Sequence, residues 1–493
     1  MTANESDVQL FTGESIINRR KIASVSRQDP PLSAIDTLAT LCNVRTPSEI
    51  GLNGPVMASM HRASSEGIRE LGSFEVLFGR DSLISALLVK EQHPNLLLST
   101  VRTLAKYQGK NYDSSSEEEP GRIPHEVRQP HDPIAVEISR SSGWTWPYYG
   151  AIDTTPLFLV AMRELMTASR WESILFESTN AAIDWLIRRL ENGNGLLVSM
   201  PSNPKGIENQ VWKDSWDSFS GSDGKVGGPP CAPLLAQALA YEGCTAGAEL
   251  LRILKPEDSR QNTLQAMAQN LREAVLGRFW IDRESRFGAC LLMPTSMRSQ
   301  ELLTARTSDP GHLLVSDLLT RRSDLPYRNE VIRSLINDEM LCGGGIRTLS
   351  NLERRYRPTA YHNGSSWPWE TTVIALALDK FGFHRLADAL GTLVMRIYDQ
   401  TGLFPEFVRG DSALEIKLNS EIIDIREADG RVNRICQPPQ EIQAFTLCSI
   451  LALKHREIHP KSQNERLTND EKVLEDQLLQ QMAYAGTTGE LFM

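Results

Sequence analysis

Several features that mark membrane, secreted or metal-binding proteins are missing from this sequence of 493 residues. Its longest apolar runs, such as 447–453, are far shorter than the ~18 residues that a membrane-spanning helix needs. The first residues are polar and lack the apolar core of a signal peptide. The seven cysteines form no CxxC pair, and the nine histidines form no HExxH motif. We therefore expect a cytoplasmic protein with reduced thiols, no structural metal and no cofactor.

A surplus of positive charge is also absent. The 62 Asp and Glu residues outnumber the 52 Lys and Arg residues, which gives a formal net charge of −10. Phosphate backbones and anionic lipids repel such a chain, so neither nucleic acid nor a membrane is expected as its main partner. Hydrophobic residues make up 41% of the sequence, which is enough for a large core. No pattern in the sequence predicts an oligomeric state.

Strand-like alternation is rare, and helical periodicity dominates. Only 195–200 is typical of a short strand, and no repeat occurs at a fixed period. The spacing of apolar residues predicts helices over 81–92, 94–108, 153–168, 172–191, 231–243, 245–254, 260–279, 309–321, 325–339, 366–381, 383–399 and 440–457. Because amphipathic helices alternate with helices that are apolar nearly all round, we expect two concentric layers in an all-α (α/α)6 barrel. We expect this barrel over 46–460, between a polar, irregular extension over 1–45 and a tail over 461–493.

One stretch, 209–219, concentrates chemistry-bearing side chains. It contains Trp212, Lys213, Asp214, Trp216 and Asp217 just after a run of helix-breaking residues. Two interpretations fit this pattern: a Trp-rich helix start with an aspartate as N-cap, or a site that binds sugar. Indole faces stack on pyranose rings, and a carboxyl group desolvated beside them stays protonated near neutral pH.

Two other polar loops precede apolar helices. Arg80 and Asp81 suit hydrogen bonding to sugar hydroxyls, although Asp81 is equally suited to cap the helix that follows. Trp146 and Tyr149 belong to a dense aromatic loop before Asp153. Such density in a loop favours stacking on carbohydrate over a purely structural role.

Two later loops have the same character. His362 and Trp367 belong to a polar and aromatic loop that opens the most apolar helix. Glu406 follows a proline and lies between aromatic residues. A lone Glu is usually a solvated surface charge, but its apolar neighbours argue against that interpretation here.

Nine stretches match the motifs of one family, in the order in which the family has them. They are FGRDS (78–82), GRIPHE (121–126), YYGAIDTTPLFL (148–159), NQVWKDSWDS (209–218), SDPGHLL (308–314), GGGIRTLS (343–350), YHNGSSWPW (361–369), GLFPEF (402–407) and PPQEIQAF (438–445). Together they resemble the glucosidase domain of the amylo-α-1,6-glucosidase (glycogen debranching) family, a relative of other six-hairpin glycosidases. The resemblance implies an (α/α)6 barrel that hydrolyses glycosides with inversion.

The resemblance also implies roles for individual residues. Asp214, in the WKD motif, would be the general acid, and Glu406 would be the general base, with Phe404 in place of the usual Leu. Asp217 stays open as an alternative acid. The other residues expected to contact the substrate are Arg80, Asp81, Trp146, Tyr149, Asp153, Trp212, Lys213, His362 and Trp367.

The main expectation is therefore an exo-acting α-glucosidase of the debranching type that binds carbohydrate. The alternative is a hydrolase of a small α-glucoside such as glucosylglycerate, because the sequence has no room for the extra domains of debranching relatives. Its Trp369-Glu370-Thr371 also departs from the family's usual His-Asp-Asn type of sequence. A glycoside phosphorylase would have a phosphate site in place of Glu406, and an epimerase would rely on histidines. A non-catalytic carbohydrate-binding protein would have no matched acid and base.

Overall fold

The computed structural model of the protein describes residues 10–12, 15–21, 33–42, 55–60, 76–426, 430–458 and 467–484. Helices dominate these ranges. They are α1 Ala34–Leu41, α2 Gly79–Leu88, α3 Pro94–Lys106, α4 Pro133–Ser142, α5 Thr154–Thr167, α6 Phe176–Asn192, α7 Leu234–Leu254, α8 Arg260–Arg278, α9 Gly311–Val315, α10 Leu325–Leu335, α11 Pro368–Lys380, α12 His384–Thr401, α13 Ala444–Ile458 and α14 Asn469–Tyr484. No helix in the described ranges is long and apolar enough to cross a membrane.

The strands are short. They are β1 Leu10–Thr12, β2 Ser15–Lys21, β3 Ser59–Met60, β4 Leu77–Phe78, β5 Glu126–Val127, β6 Cys231–Pro233, β7 Trp280–Ile281, β8 Arg286–Phe287, β9 Cys290–Leu292, β10 Glu301–Leu303, β11 Leu341–Cys342, β12 Gly345–Ile346, β13 Glu421–Arg426, β14 Val432–Cys436 and β15 Ile442–Gln443. The largest sheet has the order β1-β2-β13-β14, and a second has the order β10-β9-β6. The remaining strands pair two by two, β4 with β5 among them.

Six helices contact one another in a closed cycle. α2 packs on α5, α5 on α7, α7 on α9, α9 on α11, α11 on α13, and α13 returns to α2. These helices are buried on most sides, as in α5, where the first six residues are all buried. Helices that are apolar nearly all round need such enclosure, because any exposed side would leave apolar surface in water. The prediction of a helix-rich fold is thus confirmed.

A second set of helices packs against this ring. α3 packs on α2, α6 on α5, α8 on α7, α10 on α9 and α12 on α11, so each contacts the ring helix that precedes it. These helices are amphipathic: α12 buries Leu386, Leu390 and Leu393, whereas Arg385 and Asp388 are exposed. Apolar residues three or four positions apart share one helix face, and that face covers the ring.

Four predicted elements differ clearly from the structure. The predicted helices 231–243 and 245–254 are one helix, α7, because Gly243 does not interrupt it but allows α5 to approach: a Cβ there would lie 2.9 Å from Pro156 Cβ. The predicted helix 309–321 is shorter, since α9 ends at Val315 and a 3-10 turn follows. The predicted strand 195–200 is wrong, because its backbone forms only an isolated bridge between Ser199 and Cys231.

The ends of the chain contain more regular structure than the sequence suggests. Within the predicted irregular extension, β2 pairs antiparallel with β13, from Ile16 opposite Arg426 to Lys21 opposite Glu421. α1 packs on α13, and α14 packs on α12. Both ends therefore contact the helical body through their described residues. The division into three segments stays a prediction.

Candidate active site

The polar loops noted in the sequence lie at the N-terminal ends of the ring helices. Arg80 and Asp81 occupy the first turn of α2, and Asp153 immediately precedes α5. Trp367 precedes α11, and Gln443 precedes α13. Hydrogen bonds join neighbouring ends, as between Arg80 and Asp153 and between Gln443 and Asp81. The chemistry-bearing residues are thus gathered at one end of the ring.

Arg80 and Asp153 form a buried bidentate ion pair. Nε of Arg80 lies 2.8 Å from Oδ2 of Asp153, and Nη2 lies 3.1 Å from Oδ1. Gly79 lets the backbone of Pro124 approach the start of α2, since a Cβ at Gly79 would lie 2.2 Å from the carbonyl oxygen of Pro124. A bidentate pair fixes the plane of the guanidinium. Its third nitrogen, Nη1, has no partner among the described residues and is not enclosed by protein, so it can donate into the site.

Asp214 lies in the long loop before β6. Its side chain is half-buried, and no other described residue donates a hydrogen bond to its carboxylate. Burial raises the pKa of Asp214 to about 7; the Arg80 cation opposes this shift, and the Asp153 charge adds to it. From the sequence, Trp212 and Trp216 are expected to desolvate Asp214. In the structure, the raised pKa of Asp214 comes from its overall burial. A carboxyl group that is largely buried but still has some contact with solvent can hold and deliver a proton near neutral pH.

Glu406 differs from Asp214 in its hydrogen bonds. It is buried, the Tyr361 hydroxyl donates to its Oε1, and the Gln440 backbone N–H lies 3.3 Å from its Oε2. Burial raises the pKa of Glu406 to about 7, although both donors favour the ionised form. The charge of Asp214 adds to this rise, so the two predicted catalytic carboxyl groups lie within electrostatic range of each other. Of the two, Glu406 receives hydrogen bonds that favour an ionised carboxylate, and Asp214 receives none from another described residue.

Asp217, the alternative acid, is tied into the protein. Nη2 of Arg355 lies 2.8 Å from its Oδ2, and Nδ2 of Asn363 lies 2.9 Å from the same oxygen. An arginine and an amide therefore both donate to this carboxylate. Asp217 is suited to hold the loop that carries Asp214.

Trp212, His362 and Trp367 form one buried aromatic cluster. The ring of Trp212 lies edge-on to His362 at 5.2 Å and to Trp367 at 5.3 Å, and His362 stacks on Trp367. Nδ1 of His362 lies 2.8 Å from the hydroxyl of Ser215, next to Asp214 in the chain. Burial lowers the pKa of His362 well below its usual value, so the ring is neutral. The cluster backs the loop of Asp214.

Lys213 is fully engaged within the protein. Its Nζ lies 2.6 Å from Oδ2 of Asp309, 2.9 Å from the hydroxyl of Ser308 and 3.2 Å from the carbonyl oxygen of Thr348. An ammonium group has three protons, and three acceptors use them all. Lys213 therefore has no proton left for a sugar hydroxyl; it anchors the 209–219 loop to the start of α9.

Trp146 and Tyr149 direct their hydrogen-bond donors to other parts of the protein than Asp214 and Glu406. The indole N–H of Trp146 points to the Ala135 carbonyl oxygen at 3.3 Å and to the Ser139 hydroxyl at 3.0 Å, so it fastens α4. The Tyr149 hydroxyl donates to the carbonyl oxygen of Tyr107 at 2.7 Å, and the residue is buried. Trp146 keeps a partly exposed face, and Tyr149 is part of the scaffold.

Two more carboxyl groups, those of Asp81 and Glu126, lie within electrostatic range of Asp214. Burial raises the pKa of Asp81 to about 7, as do the charges of Glu406 and Asp214. Glu126 is also buried, and its burial raises the pKa of its carboxyl group to about 7. Glu126 and Tyr361 are not among the site residues predicted from the sequence, although both lie within the matching motifs. A tyrosine next to His362, or a glutamate at a motif's end, gives no sign of its distant partner.

Among the described residues, no group of three or more His, Cys, Asp or Glu side chains has an arrangement that would hold a metal ion. The site, as far as it is described, consists of carboxylates, one positioned arginine and aromatic walls. Such a set can transfer protons to and from a neutral polyhydroxylated ligand.

Comparisons with known proteins bear on this arrangement. The family described as mannosylglycerate hydrolase MGH1-like glycoside hydrolase domain matches residues 81–409, more than half of the chain. No protein of curated function matches the sequence.

Solved structures with similar folds include a GH63 mannosylglycerate hydrolase from Thermus thermophilus. Its complex with Tris has 12% identity and a TM-score of 0.56, and the likeness covers 85% of this chain and 98% of that one. Its complex with Tris and D-glycerate has the same identity and TM-score, over 85% and 99% of the two chains. Its complex with glucose has 15% identity and a TM-score of 0.53, over 85% and 98%. At such identities the likeness establishes a shared fold.

Proposed function

The chain belongs to the mannosylglycerate hydrolase MGH1-like glycoside hydrolase family, and from this premise we propose that it hydrolyses a small α-glycoside with inversion, releasing one terminal sugar. Its membership makes it a glycoside hydrolase. One observation carries the finer proposal: Glu406 receives hydrogen bonds that favour its ionised form, whereas Asp214, within electrostatic range, receives none from any other described residue. Two carboxyl groups with opposite preferences are what an inverting mechanism requires.

The family differs from the debranching family that the motifs resemble. The match supports a six-hairpin type of glycosidase, but not amylo-α-1,6-glucosidase activity or glycogen debranching. The relative of known structure is a mannosylglycerate hydrolase with bound D-glycerate in one complex and glucose in another. Both are small molecules, which favours the alternative that the sequence left open. The substrate proposed here is accordingly a hexose joined to a small polyol or hydroxy acid.

The reaction follows from the two carboxyl groups. Asp214 gives its proton to the glycosidic oxygen as the bond to C1 breaks. Glu406 takes a proton from a water molecule that attacks the opposite face of C1, and the sugar leaves with inverted configuration. Room for that water needs a separation of ~6.5–9.5 Å between the carboxyl groups.

The neighbouring groups keep each carboxyl in its role. Tyr361 stabilises the negative charge of Glu406 before it accepts the proton. Arg80, fixed by Asp153, donates to a sugar hydroxyl through its free nitrogen, and Asp81 accepts from another. Trp212, His362 and Trp367 form the wall behind the acid. Trp146 offers its exposed face at the rim.

The closed cycle of helices supports a more specific fold assignment. Six ring helices, five of them paired with the helix that follows, fit an (α/α)6 barrel over 46–460. The described elements of the segments 1–45 and 461–493, namely β1, β2, α1 and α14, would then be additions that pack on its outside. A barrel of this kind gathers six loops at one end, which agrees with the position of the site.

A panel of substrates tests the proposed activity. The purified protein is incubated with α-glucosides and α-mannosides of glycerol and of D-glycerate, with isomaltose and with glycogen, each with and without inorganic phosphate. We expect a free monosaccharide from a small glycoside, independent of phosphate. Fastest release from glycogen would refute the choice of a small substrate. A phosphate-dependent release of sugar 1-phosphate would refute hydrolysis.

A further inference from the structure

His362, expected from the sequence to contact the sugar, is enclosed by the protein. It is 2% exposed, and its ring stacks on Trp367 with 5.3 Å between the ring centroids. The ring is neutral, because burial lowers its pKa well below the usual value. A buried, neutral imidazole contributes mainly through the protein groups that it contacts.

His362 is contacted from both sides of Asp214 in the chain. Trp212, two residues before Asp214, lies edge-on to the ring at 5.2 Å. The hydroxyl of Ser215, the residue after Asp214, lies 2.8 Å from Nδ1 of the ring. A neutral Nδ1 either donates or accepts, and a hydroxyl can take the opposite part, so the bond forms with either tautomer. These two contacts restrict the backbone that carries the carboxyl group of Asp214.

The residues on either side of His362 extend these contacts. The hydroxyl of Tyr361 donates to Oε1 of Glu406. Nδ2 of Asn363 lies 2.9 Å from Oδ2 of Asp217 and 3.2 Å from the carbonyl oxygen of the same residue. Three consecutive residues therefore connect the proposed base to the loop that carries the proposed acid.

We propose that His362 is a positioning residue that holds Asp214 at its working distance from Glu406. This inference rests on the proposed inverting hydrolysis, in which the gap between the two carboxyl groups must admit one water molecule. The imidazole fixes the acid loop through Ser215, and the peptide bond to Tyr361 ties that contact to the base. Because Tyr361 keeps its own aromatic packing, loss of the imidazole should displace the acid and leave the base in place.

Two kinds of substrate separate an effect on the acid from an effect on the base. One is the glycoside of glycerol or D-glycerate that the wild type hydrolyses, and the other is the α-fluoride of the same sugar, α-glucosyl or α-mannosyl fluoride. An alkoxide needs a proton in order to leave, whereas fluoride leaves as a stable anion, so only the glycoside needs the acid. Asp214→Asn should lower kcat mainly on the glycoside, and Glu406→Gln should lower it on both substrates.

The variants of the proposed contact should follow the pattern of Asp214→Asn. His362→Leu should lower kcat on the glycoside by about 10- to 100-fold, as a small misplacement of a catalytic group does, and leave kcat on the fluoride within about threefold of wild type. Ser215→Ala removes the other end of the same bond and should have the same selective effect. The double variant should lose little more than His362→Leu alone, because both changes remove one contact. His362→Asn, whose side-chain amide takes the place of Nδ1, should restore most of kcat.

Ser334→Ala is the matched control. It removes a hydroxyl that donates to the Val331 carbonyl oxygen within α10, so kcat on both substrates should be unchanged. If His362→Leu does not fold, Ser215→Ala decides the test. Equal losses on the glycoside and the fluoride, or an unchanged kcat on the glycoside, would overturn the inference.

Failure of the proposed function gives a different result. A wild-type protein that hydrolyses none of the glycosides would refute the proposed function, and the inference would fall with it. A wild-type protein that hydrolyses a glycoside, with variants that lose activity on the glycoside and the fluoride alike, would refute the role of His362 alone.

Discussion

Replacing Tyr361 by phenylalanine removes the hydroxyl that donates to Oε1 of Glu406 and leaves the aromatic ring in place. Tyr361 is packed against Trp367 at 4.9 Å and Phe407 at 5.3 Å, so the ring should stay where it is. The backbone N–H of Gln440 would then be the remaining donor to Glu406 among the described residues. The perturbation therefore acts on the charge state of the proposed base.

The expected size of the effect follows from the energy of that hydrogen bond. A hydrogen bond to a charged group is worth ~1.5–3 kcal/mol, and one pKa unit corresponds to ~1.4 kcal/mol. The lost donor favours the ionised carboxylate, so its removal raises the pKa of Glu406 by about one to two units above about 7. Because the base must be ionised, the acid limb of the pH profile moves to higher pH. Below that limb, kcat/KM falls by about 10- to 100-fold.

The assay is kcat/KM against pH for the wild type and Tyr361→Phe, on whichever small glycoside the panel identifies. Tyr327→Phe is the control, since that tyrosine packs on Trp280 and Phe287 away from the site. The control should leave the acid limb in place. A loss of activity in Tyr361→Phe that is the same at every pH would refute the reasoning, because it would mean that Tyr361 only shapes the site.

Three further outcomes are expected. Asp214→Asn and Glu406→Gln should each lower kcat by at least ~10²-fold in folded protein, and Asp217→Asn should lower it less. Near-normal turnover in Asp214→Asn or Glu406→Gln would show that the replaced residue is not the acid or the base. The wild-type kcat/KM should fall on both sides of neutral pH, as Glu406 gains a proton below about 7 and Asp214 loses one above it, and a flat profile would contradict this pair. Lys213→Met should lower the free energy of unfolding by ~3–5 kcal/mol because it leaves Asp309 charged and unpaired, and a denaturant titration with a loss below ~1 kcal/mol would show that the pair is dispensable.

The sequence predicts ring helices such as α5 and α11 well because their apolar periodicity is local. The predicted helix 153–168 is α5, Thr154–Thr167, almost to the residue. The sequence is misleading where a residue serves a distant contact. The predicted break between 231–243 and 245–254 does not occur, and Gly243 allows Pro156 of another helix to approach. α4 is not predicted, although Asp132 accepts from the backbone of its first turn and Pro133 follows at the first helical position.

The site, like the fold, can be predicted from the sequence only in part. Residue types in the loops point to carbohydrate chemistry, and the structure brings Arg80, Asp81, Asp214 and Glu406 to one end of the ring. Which of these residues contact one another cannot be predicted from one sequence, because the contacts depend on closure of the helix ring. Lys213 pairs with Asp309, which lies 96 residues away in the sequence. Lys213 was predicted to contact the sugar, but it anchors the 209–219 loop.

The stereochemistry of the first product tests the central claim most directly. Proton NMR of the anomeric signals, recorded in the opening minutes on an accepted α-glycoside, distinguishes the two possible products before they interconvert. Attack of water on the face opposite the leaving group, with Asp214 as acid and Glu406 as base, predicts the β-anomer as the initial sugar. Initial appearance of the α-anomer would mean retention of configuration and would contradict the assignment of Glu406 as the base.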